Sequence, residues 1–398
     1  MKAQRSGKLP PNNRVPWRGD SALDDGKLAN VDLAGGYYDA GDNVKYGLPM
    51  AFTITTLAWS TIKYEKELHA AGELENARAA IRWGTDYFLK CASRENHLYV
   101  QVGDPNADHK CWARPENMQT PRTVLQISDK DPGTEIAAET AAALAASSIV
   151  FRQIDHVYSR QLLNKAKLLF KLAKSHKGTY DGACPFYCSN SGYNDELLWA
   201  ATWLYKATRI EVYLSYLKFE AISAYVAEFS WDLKYAGGLI HLRDGANTQY
   251  VTGTAFLFSA YADILQKHNQ KMTCGSKQFD CTHLMAFAKK QIDYILGHNP
   301  KGRSYMVGFG PNPPMQAHHR GASVPVAEGN EPLSCPMSFA KWFNKNQPNA
   351  NELTGAIVGG PDRQDNFQDF RWTSAYTEPC TYINSIAVGV LAKLAATA

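Results

Sequence analysis

The 398-residue sequence has little that would associate it with membranes or nucleic acids. No apolar run approaches the ~20 residues that span a bilayer. Basic and acidic side chains nearly balance, 42 against 38, and no long run of one sign occurs. Nucleic acid and anionic membranes are therefore not expected as main partners. The N-terminal residues also lack the apolar core of a signal peptide.

Several familiar catalytic motifs are absent as well. The sequence contains no G-x-x-x-x-G-K-[ST], no G-x-S-x-G and no H-E-x-x-H, which removes the simplest routes to nucleotide hydrolysis, serine esterase and zinc protease chemistry. No repeat of fixed period and no linker rich in proline and serine divides the chain. We therefore expect a single domain over residues 1–398, without a separate binding module, and we predict no cofactor and no metal.

The eight cysteines are too few, at this chain length, for a dense disulfide framework. Two pairs are close in sequence, Cys184 with Cys188 and Cys274 with Cys281. Each pair could form a local disulfide or, with less support, bind a metal ion. Neither pair shows the doubled spacing of a tetrahedral zinc site.

Helical periodicity is abundant in the sequence. Apolar residues recur at helical spacing through residues 160–175 and again from Ile383 to Leu394. Similar amphipathic stretches occur near residues 51–65, 75–90, 135–151, 194–207, 211–226, 250–267 and 283–296. The alanine-rich run from Ala137 to Ala146 would let helices approach closely. Because alternation typical of strands is scarce, the sequence predicts an all-α fold.

Long loops rich in Gly, Pro, Asn and Asp separate the predicted helices. They cover residues 5–48, 99–134, 177–193, 297–335 and 344–382. Long structured loops in compact proteins are usually functional. Aromatic residues are numerous, with 9 Trp, 21 Tyr and 16 Phe. Their rings suit stacking against sugars, although most aromatic side chains in any protein are core.

Asp39 and Asp42 lie three residues apart in a glycine-rich loop and are separated by Ala-Gly. Glycine lets the chain turn tightly there, so both carboxylates can face one side and share a water molecule, with one of them as general base. Their mutual repulsion would raise one of the two pKa values. The same residues could instead form an Asx turn that caps the helix near residue 51, or a calcium loop.

A second pair of carboxylates, Asp369 and Glu378, precedes the last predicted helix. Glu378 lies between two tyrosines, Tyr376 and Tyr382. A carboxyl group beside aromatic rings tends to stay protonated near neutral pH, as a general acid must. The alternative is a polar loop whose glutamate begins a helix.

His318, His319 and Arg320 form a third group. Neighbouring histidines seldom bind one metal ion together, but with arginine they provide many hydrogen-bond donors for a polyhydroxy ligand. A surface hydrogen-bonding loop is equally compatible with this sequence. Aromatic residues also stand near polar groups in three segments, each of which alone is usually core: His109 to Trp112, Tyr193 to Trp199, and Trp231 to Tyr235.

Taken in order, these motifs resemble the plant endo-β-1,4-glucanases of glycoside hydrolase family 9 over nearly the whole chain. The pattern that ends in His318-x-Arg320 and the nine-residue step from Asp369 to Glu378 are similar to the two signatures of that family. The resemblance implies an (α/α)₆ barrel, six helical hairpins in a ring, with an open cleft formed by loops. It also implies a secreted, cell-wall hydrolase that cleaves internal β-1,4-glucosidic bonds of cellulose-type glucans.

The resemblance implies a role for each main candidate. Asp42 matches the general base, Asp39 its partner in positioning water, and Glu378 the general acid of a single-displacement hydrolysis with inversion. His318 and Arg320 match residues at the sugar-binding subsite beside the cut, and His318 is counted with the catalytic group. The implied partner is a β-glucan polysaccharide.

The remaining matches concern the second signature and the walls of the cleft. Asp369 matches the aspartate of the second signature and is counted with the catalytic residues. The residues expected to line the cleft and bind substrate, by the same resemblance, are His109, Trp112, Trp231, Tyr235 and Tyr382.

The sequence departs from the family pattern in several places. The usual signal peptide and first barrel helix are not found before Arg5, and several dozen residues are missing after Ala236. Ser374 replaces a usual aromatic residue, and Cys380 replaces a small one. We therefore expect an incomplete barrel. Loss of the first helix would expose an apolar stripe on the last helix, formed by Ile383, Ile386, Val390 and Leu394.

Two other functions remain open from the sequence. The missing segments are compatible with a catalytically impaired or inactive member that only binds glucan or is vestigial. Another inverting β-glycanase with the same barrel, cutting mixed-linkage glucan or xyloglucan, is the second alternative.

Overall fold

The computed structural model describes residues 1–220, 228–235, 247–327 and 334–396. Its long helices are α1 (Gly47–Lys63), α3 (Leu74–Cys91), α5 (Thr134–Phe151), α6 (His156–Ser175), α7 (Asn194–Thr208), α8 (Glu211–Glu220), α9 (Thr248–His268), α10 (Cys281–Ile295) and α14 (Thr381–Ala395). Shorter helices are α2 (Glu65–Ala70), α4 (Pro105–Asp108), α11 (Arg320–Ser323), α12 (Cys335–Ser338) and α13 (Ser374–Thr377). The strands are β1 (Lys45–Tyr46), β2 (His97–Val102), β3 (Val124–Ser128), β4 (Met272–Cys274) and β5 (Lys277–Phe279).

The helical predictions are confirmed within the described residues. Each predicted stretch coincides with one helix, and the boundaries differ by a few residues, as for α1, which begins at Gly47 rather than near residue 51. Pro49 is tolerated there because a proline in the first helical turn forfeits no intrahelical hydrogen bond. The predicted stretch 211–226 is confirmed as far as Glu220, and its remainder lies outside the described residues.

The long helices form an inner and an outer layer. Helix α9 packs on α14, α14 on α1, α1 on α5, and α5 on α7. Helices α10, α3, α6 and α8 pack outside α9, α1, α5 and α7, respectively. This order is that of an (α/α)₆ barrel. In the described part of the chain no helix fills the inner position between α7 and α9. Along the chain, α8 and the two undescribed stretches 221–227 and 236–246 lie between these helices.

Helix α5 lies at the centre of this arrangement and contacts α1, α6 and α7. The alanines from Ala137 to Ala146 are almost completely buried, as expected for a surface that lets helices approach closely. By length and composition α5 could also cross a membrane, the one such helix among the residues searched. Of its residues, 89% are buried within the protein, which is the environment of a core helix.

A small antiparallel sheet lies in two of the predicted loops. Strand β2 pairs with β1 on one side and with β3 on the other. The sequence did not reveal β2 because five of its six residues are buried, so that no alternation of polar and apolar residues arises. Since β1 leads directly into α1, this sheet joins the loop that carries Asp39 and Asp42 to the barrel.

The prediction of an exposed stripe on α14 was wrong. Ile383, Ile386 and Val390 are at most 2% exposed, and only Leu394 is half-buried. The reason is that α14 is an inner helix, so this face packs between α1 and α9.

Candidate active site

Asp39 and Asp42 lie at the two ends of a tight turn that precedes β1. The Asp42 N–H donates to the Asp39 carbonyl oxygen at 2.8 Å, and the Asp39 N–H donates to the Val44 carbonyl at 2.9 Å. Ala40, within the turn, has a φ of +42°. The turn does not cap α1, because the N-cap residue is Tyr46 and no side chain bonds that helix end.

The Asp42 carboxylate contacts two basic side chains. Arg320 Nη1 donates to Oδ1 at 2.8 Å, and His109 Nε2 lies 3.0 Å from Oδ2. Burial alone would raise the pKa of Asp42, but the Arg320 charge and the His109 hydrogen bond outweigh it and hold the pKa at about 2. The same contact raises the pKa of His109. Asp42 is therefore ionised throughout the neutral range.

Arg320 lies beside Asp42, within the protein. Arg320 is 1% exposed. It donates to the carbonyl oxygens of Cys111, Gly41 and Asp108 and forms ion pairs with the carboxylates of Asp42 and Asp108. These contacts use its donors within the protein and hold the Asp42 carboxylate in place.

Glu378 reaches the same turn from the segment between α13 and α14. Its Oε1 accepts from the Gly41 N–H at 3.1 Å and lies 4.0 Å from His318 Nε2. Burial, reinforced by the charge of Asp42, raises the pKa of Glu378 to about 7. The predicted protonation near neutral pH is thus supported. Its main causes are burial and Asp42, and one of the neighbouring tyrosines, Tyr376, is only half-buried.

His318 stands beside Glu378 in a defined orientation. Its Nδ1 lies 2.7 Å from the Arg371 carbonyl oxygen, which can only accept, so Nδ1 carries the proton and Nε2 faces Glu378 with a lone pair. Burial lowers the pKa of His318 to about 4. The ring packs edge-on against Trp112, with centroids 4.9 Å apart. His318 is therefore a neutral acceptor beside Glu378.

Of the two aspartates, Asp39 is the one whose pKa is raised. Burial raises the pKa of Asp39 well above its ordinary range, and the charge of Asp42 raises it further. A 2.6 Å hydrogen bond from the Tyr187 hydroxyl acts in the opposite direction but does not outweigh them. Tyr382, at the start of α14, bonds Tyr187 in turn. The pair thus divides into an ionised Asp42 and a more basic Asp39.

The predicted cleft-lining residues occupy different depths. His109 is half-exposed and packs on Phe186 with ring centroids 4.7 Å apart. Trp231 is half-buried and packs against Tyr187 at 4.9 Å. Trp112 is 1% exposed and lies beneath His318 and Arg320, so it supports the cleft instead of lining it.

Two other predicted residues lie away from the carboxylate turn. The nearby charges that act on Tyr235 are those of Asp195 and Glu196, at the start of α7. The Asp369 carboxylate accepts from the backbone N–H groups of Met315 at 2.9 Å and Gln316 at 3.0 Å. Asp369 therefore fixes the loop segment that leads to His318.

One cluster of described side chains has the composition of a metal site. The ligating atoms of Asp42, Asp108 and His109 lie within 4.8 Å of one another. The Arg320 guanidinium bonds both carboxylates, at 2.8 and 2.9 Å. A positive charge is thus already provided by the protein, and the cluster does not favour a cation.

The sequence analysis missed Asp108, Tyr187 and Phe186. Asp108 directly precedes His109, and the other two lie between Cys184 and Cys188. Their nearness in sequence to these predicted residues is the one sign that could have pointed to them. Their contacts with Asn43, Asp39 and His109 span 65 or more residues of sequence and depend on packing.

The cysteines form two disulfides in the described residues. Cys184 and Cys188 form a disulfide, which is one of the two local disulfides that the sequence suggested. Cys274 and Cys281 are not bonded. Cys111 is joined to Cys335, 224 residues away, so the loop of His109 and Trp112 is tied to α12.

The chain is similar to several known proteins over nearly its whole length. Endoglucanase 16 of Arabidopsis thaliana is 80% identical over 440 aligned positions, which cover 100% of this chain and 90% of that protein. Endoglucanase 8 of Oryza sativa subsp. japonica is 62% identical, covering 99% of this chain and 87% of that protein. An endoglucanase structure from the termite Nasutitermes takasagoensis superposes with a TM-score of 0.88 at 38% identity, covering 100% and 96% of the two chains.

A further solved relative is an endoglucanase of Clostridium thermocellum complexed with cellotetraose. It is 31% identical, with a TM-score of 0.79, over 99% of this chain and 68% of that chain. The sequence model described as Glycosyl hydrolase family 9 matches residues 1–242 and 235–391. The two matches overlap at residues 235–242, next to the place after Ala236 where the sequence analysis expected several dozen residues to be missing. The chain therefore belongs to glycosyl hydrolase family 9, and its fold is the (α/α)₆ barrel of its structural relatives.

Proposed function

We propose that the chain is an endo-β-1,4-glucanase that hydrolyses internal bonds of cellulose-type glucans with inversion. The observation that carries the proposal is the meeting of two differently charged carboxyl groups at one turn. Asp42 is ionised, with a pKa near 2, and Glu378 is protonatable near neutral pH, with a pKa of about 7. Paired carboxyl groups with separated pKa values are what an acid and a base on one glycoside require.

In the proposed mechanism, Glu378 donates its proton to the departing glycosidic oxygen. Asp42 removes a proton from a water molecule that attacks the anomeric carbon from the opposite face. Asp39, held by Tyr187 at 2.6 Å, orients that water. Arg320 keeps Asp42 ionised and fixes its position through the shared contact with the Gly41 carbonyl.

The relatives support the substrate class. The Clostridium thermocellum endoglucanase was solved with cellotetraose, a β-glucan oligosaccharide, in a structure that this chain matches over 99% of its length. We infer a β-glucan chain as the substrate here. The half-exposed rings of His109 and Trp231 are available for contacts with sugars.

We further propose that residues 1–398 act as one catalytic domain in an extracellular, cell-wall setting. The long-range Cys111–Cys335 disulfide supports an oxidising compartment, because such bonds seldom persist in the cytosol. The inner helices α1, α5, α7, α9 and α14 share one apolar core, which supports a single folding unit.

The proposal is tested by reducing-sugar release from carboxymethylcellulose, measured for the parent chain, Glu378→Gln and Glu75→Gln. The parent and Glu75→Gln, whose glutamate is exposed on α3, should be equally active. Glu378→Gln should lose about 10²–10⁴-fold in rate. Equal activity of Glu378→Gln and the parent would rule out the proposed acid.

A pull-down on insoluble cellulose separates hydrolysis from binding alone. An enzyme releases reducing ends under conditions in which it binds. A chain that binds cellulose but releases no sugar would instead be the inactive glucan-binding member that the sequence left open.

A further inference from the structure

The conformation of Ala40 decides how Asp39 and Asp42 are presented. Its φ of +42° lies in the left-handed region, which alanine rarely adopts. A residue keeps such a conformation only where its surroundings hold it. The contacts made to the carbonyl oxygens of this turn therefore determine where the two carboxylates lie.

Gln4 makes one of these contacts from 36 residues away. Its side-chain Nε2 donates to the Ala40 carbonyl oxygen, and its main-chain carbonyl accepts from the Tyr38 N–H at 2.8 Å. Gln4 is 7% exposed, so water has little access to these bonds. Gln4 thus holds the chain both just before the turn and within it.

His319 orients the Gln4 side chain. His319 Nδ1 accepts from the Ala322 N–H at 3.0 Å, and burial lowers the pKa of the ring to about 3. The neutral ring therefore carries its proton on Nε2, which donates to Gln4 Oε1. With Oε1 occupied in this way, the amide nitrogen of Gln4 faces Ala40.

We propose that Gln4 and His319 are positioning residues for the aspartate turn, forming a hydrogen-bond relay from the start of α11 to the Ala40 carbonyl. Both side chains are buried and act through Ala40, one residue from Asp39 and two from Asp42. The effect on catalysis rests on the proposed function, since it requires Asp39 and Asp42 to activate water. The effect on the turn does not.

Two substitutions of His319 separate this role from a purely structural one. His319 also caps α11 through Ala322. Asparagine at this position can keep the cap, because its Oδ1 lies near the place of Nδ1, but it is too short to reach Gln4. Glutamine reaches Gln4 with its Nε2 and loses the cap. Only His319→Asn should break the relay, whereas His319→Gln should only lower stability.

The first measurement is the hydrolysis of cellopentaose. His319→Asn is expected to lower kcat by about 10–100-fold with KM changed less than about twofold, because the base is misplaced and sugar contacts are kept. His319→Gln should keep kcat within about threefold of the parent. Gln4→Met, which removes both bonds of the relay, should repeat the His319→Asn result.

Gln101→Met is the matched control. Gln101 is a buried glutamine whose Nε2 donates to a nearby carbonyl, that of Gly103, at 3.3 Å. Its replacement should leave kcat unchanged. Equal loss of kcat in the two His319 variants, or a change confined to KM, would overturn the relay.

The second measurement does not depend on activity. Amide hydrogen exchange over residues 37–46 should be about tenfold faster in His319→Asn and Gln4→Met than in the parent, and unchanged in His319→Gln and Gln101→Met. Unchanged exchange in both relay variants would refute the proposal. If the parent does not cleave cellopentaose, the proposed function fails, and the exchange experiment still decides whether the relay holds the turn.

Discussion

Asp42 and Glu378 have pKa values displaced in opposite directions for identifiable reasons. Arg320 and His109 contact the Asp42 carboxylate directly and lower its pKa. Glu378 accepts a hydrogen bond from the Gly41 N–H and feels the same two positive charges, but burial and the charge of Asp42 outweigh them and raise its pKa. A group that is ionised and a group that is protonated therefore meet at one turn. This difference has consequences for both substrate dependence and pH dependence.

Substrates with different leaving groups should separate the acid from the base. Glu378→Gln should nearly abolish cleavage of cellulose but retain much more activity on an activated aryl cellobioside, whose nitrophenolate departs without a proton. Asp42→Asn should lose both activities together, because every substrate needs activated water. The expected losses are about 10²–10⁴-fold. If Glu378→Gln slowed both substrates equally, Glu378 would not be the acid.

The pH profile should follow from the raised pKa of Glu378. The active form needs Glu378 protonated and Asp42 ionised, so kcat/KM on a soluble glucan should fall as the pH rises through about 7. The residual activity of Glu378→Gln on the aryl cellobioside should show no such decline. A parent profile that stays level up to pH 9 would contradict the assignment.

Some of these residues could be predicted from the sequence, and others could not. Asp42 and Glu378 could be predicted because each belongs to a motif of residues that are close together in the sequence. The burial of Arg320 and its contact with Asp108 could not be predicted, because a motif shows which residues are adjacent but not where a guanidinium points. Tyr187 reaches Asp39 from 148 residues away, and its place between Cys184 and Cys188 does not indicate that partner.

At the scale of elements, helices were predictable and the small sheet was not. Helices such as α6 show one apolar face and one charged face, which periodicity reveals. Strand β2 is buried on both faces, and β1 has only two residues, so neither produces an alternating pattern. The partner of Cys111 was also hidden, since nothing near Cys335 in the sequence indicates the loop that it contacts.

The Cys111–Cys335 disulfide should contribute measurably to stability. It closes a loop of 224 residues and ties the loop of His109 to α12. Cys335→Ser should lower the free energy of unfolding in urea by about 2–5 kcal/mol. Cys274→Ser, which removes a free cysteine, should change it by less than about 0.5 kcal/mol. Equal effects of the two substitutions would contradict this role.

At the scale of the whole molecule, α7 and α9 are connected through α1. Trp59 of α1 contacts rings from both helices: its ring centroid lies 5.5 Å from that of Trp199 and 4.9 Å from that of Phe256. The ring order itself could not be predicted from periodicity, because an amphipathic face does not specify its partner. One tryptophan thus joins two helices that are not neighbours in the described packing.

Trp59→Ala should destabilise the molecule far more than removal of an exposed tryptophan. Trp59 is half-buried, and loss of its ring would remove its aromatic contacts with α7 and α9, at a cost of about 2–4 kcal/mol in the free energy of unfolding. Trp372→Ala is the control, since Trp372 is 40% exposed and stacks only on Phe370 among the described aromatic residues. Its cost should stay below about 1 kcal/mol. Similar urea midpoints for the two variants would show that Trp59 does not join the helices.

The most direct test of the central claim is the anomeric configuration of the first products, followed by proton NMR during hydrolysis of cellopentaose. A single displacement by water activated at Asp42 converts a β-glucosidic bond into an α reducing end. We therefore predict that new reducing ends appear first as the α anomer and then mutarotate towards equilibrium. New ends that appear first as the β anomer, or no new ends at all from the folded chain, would contradict the account.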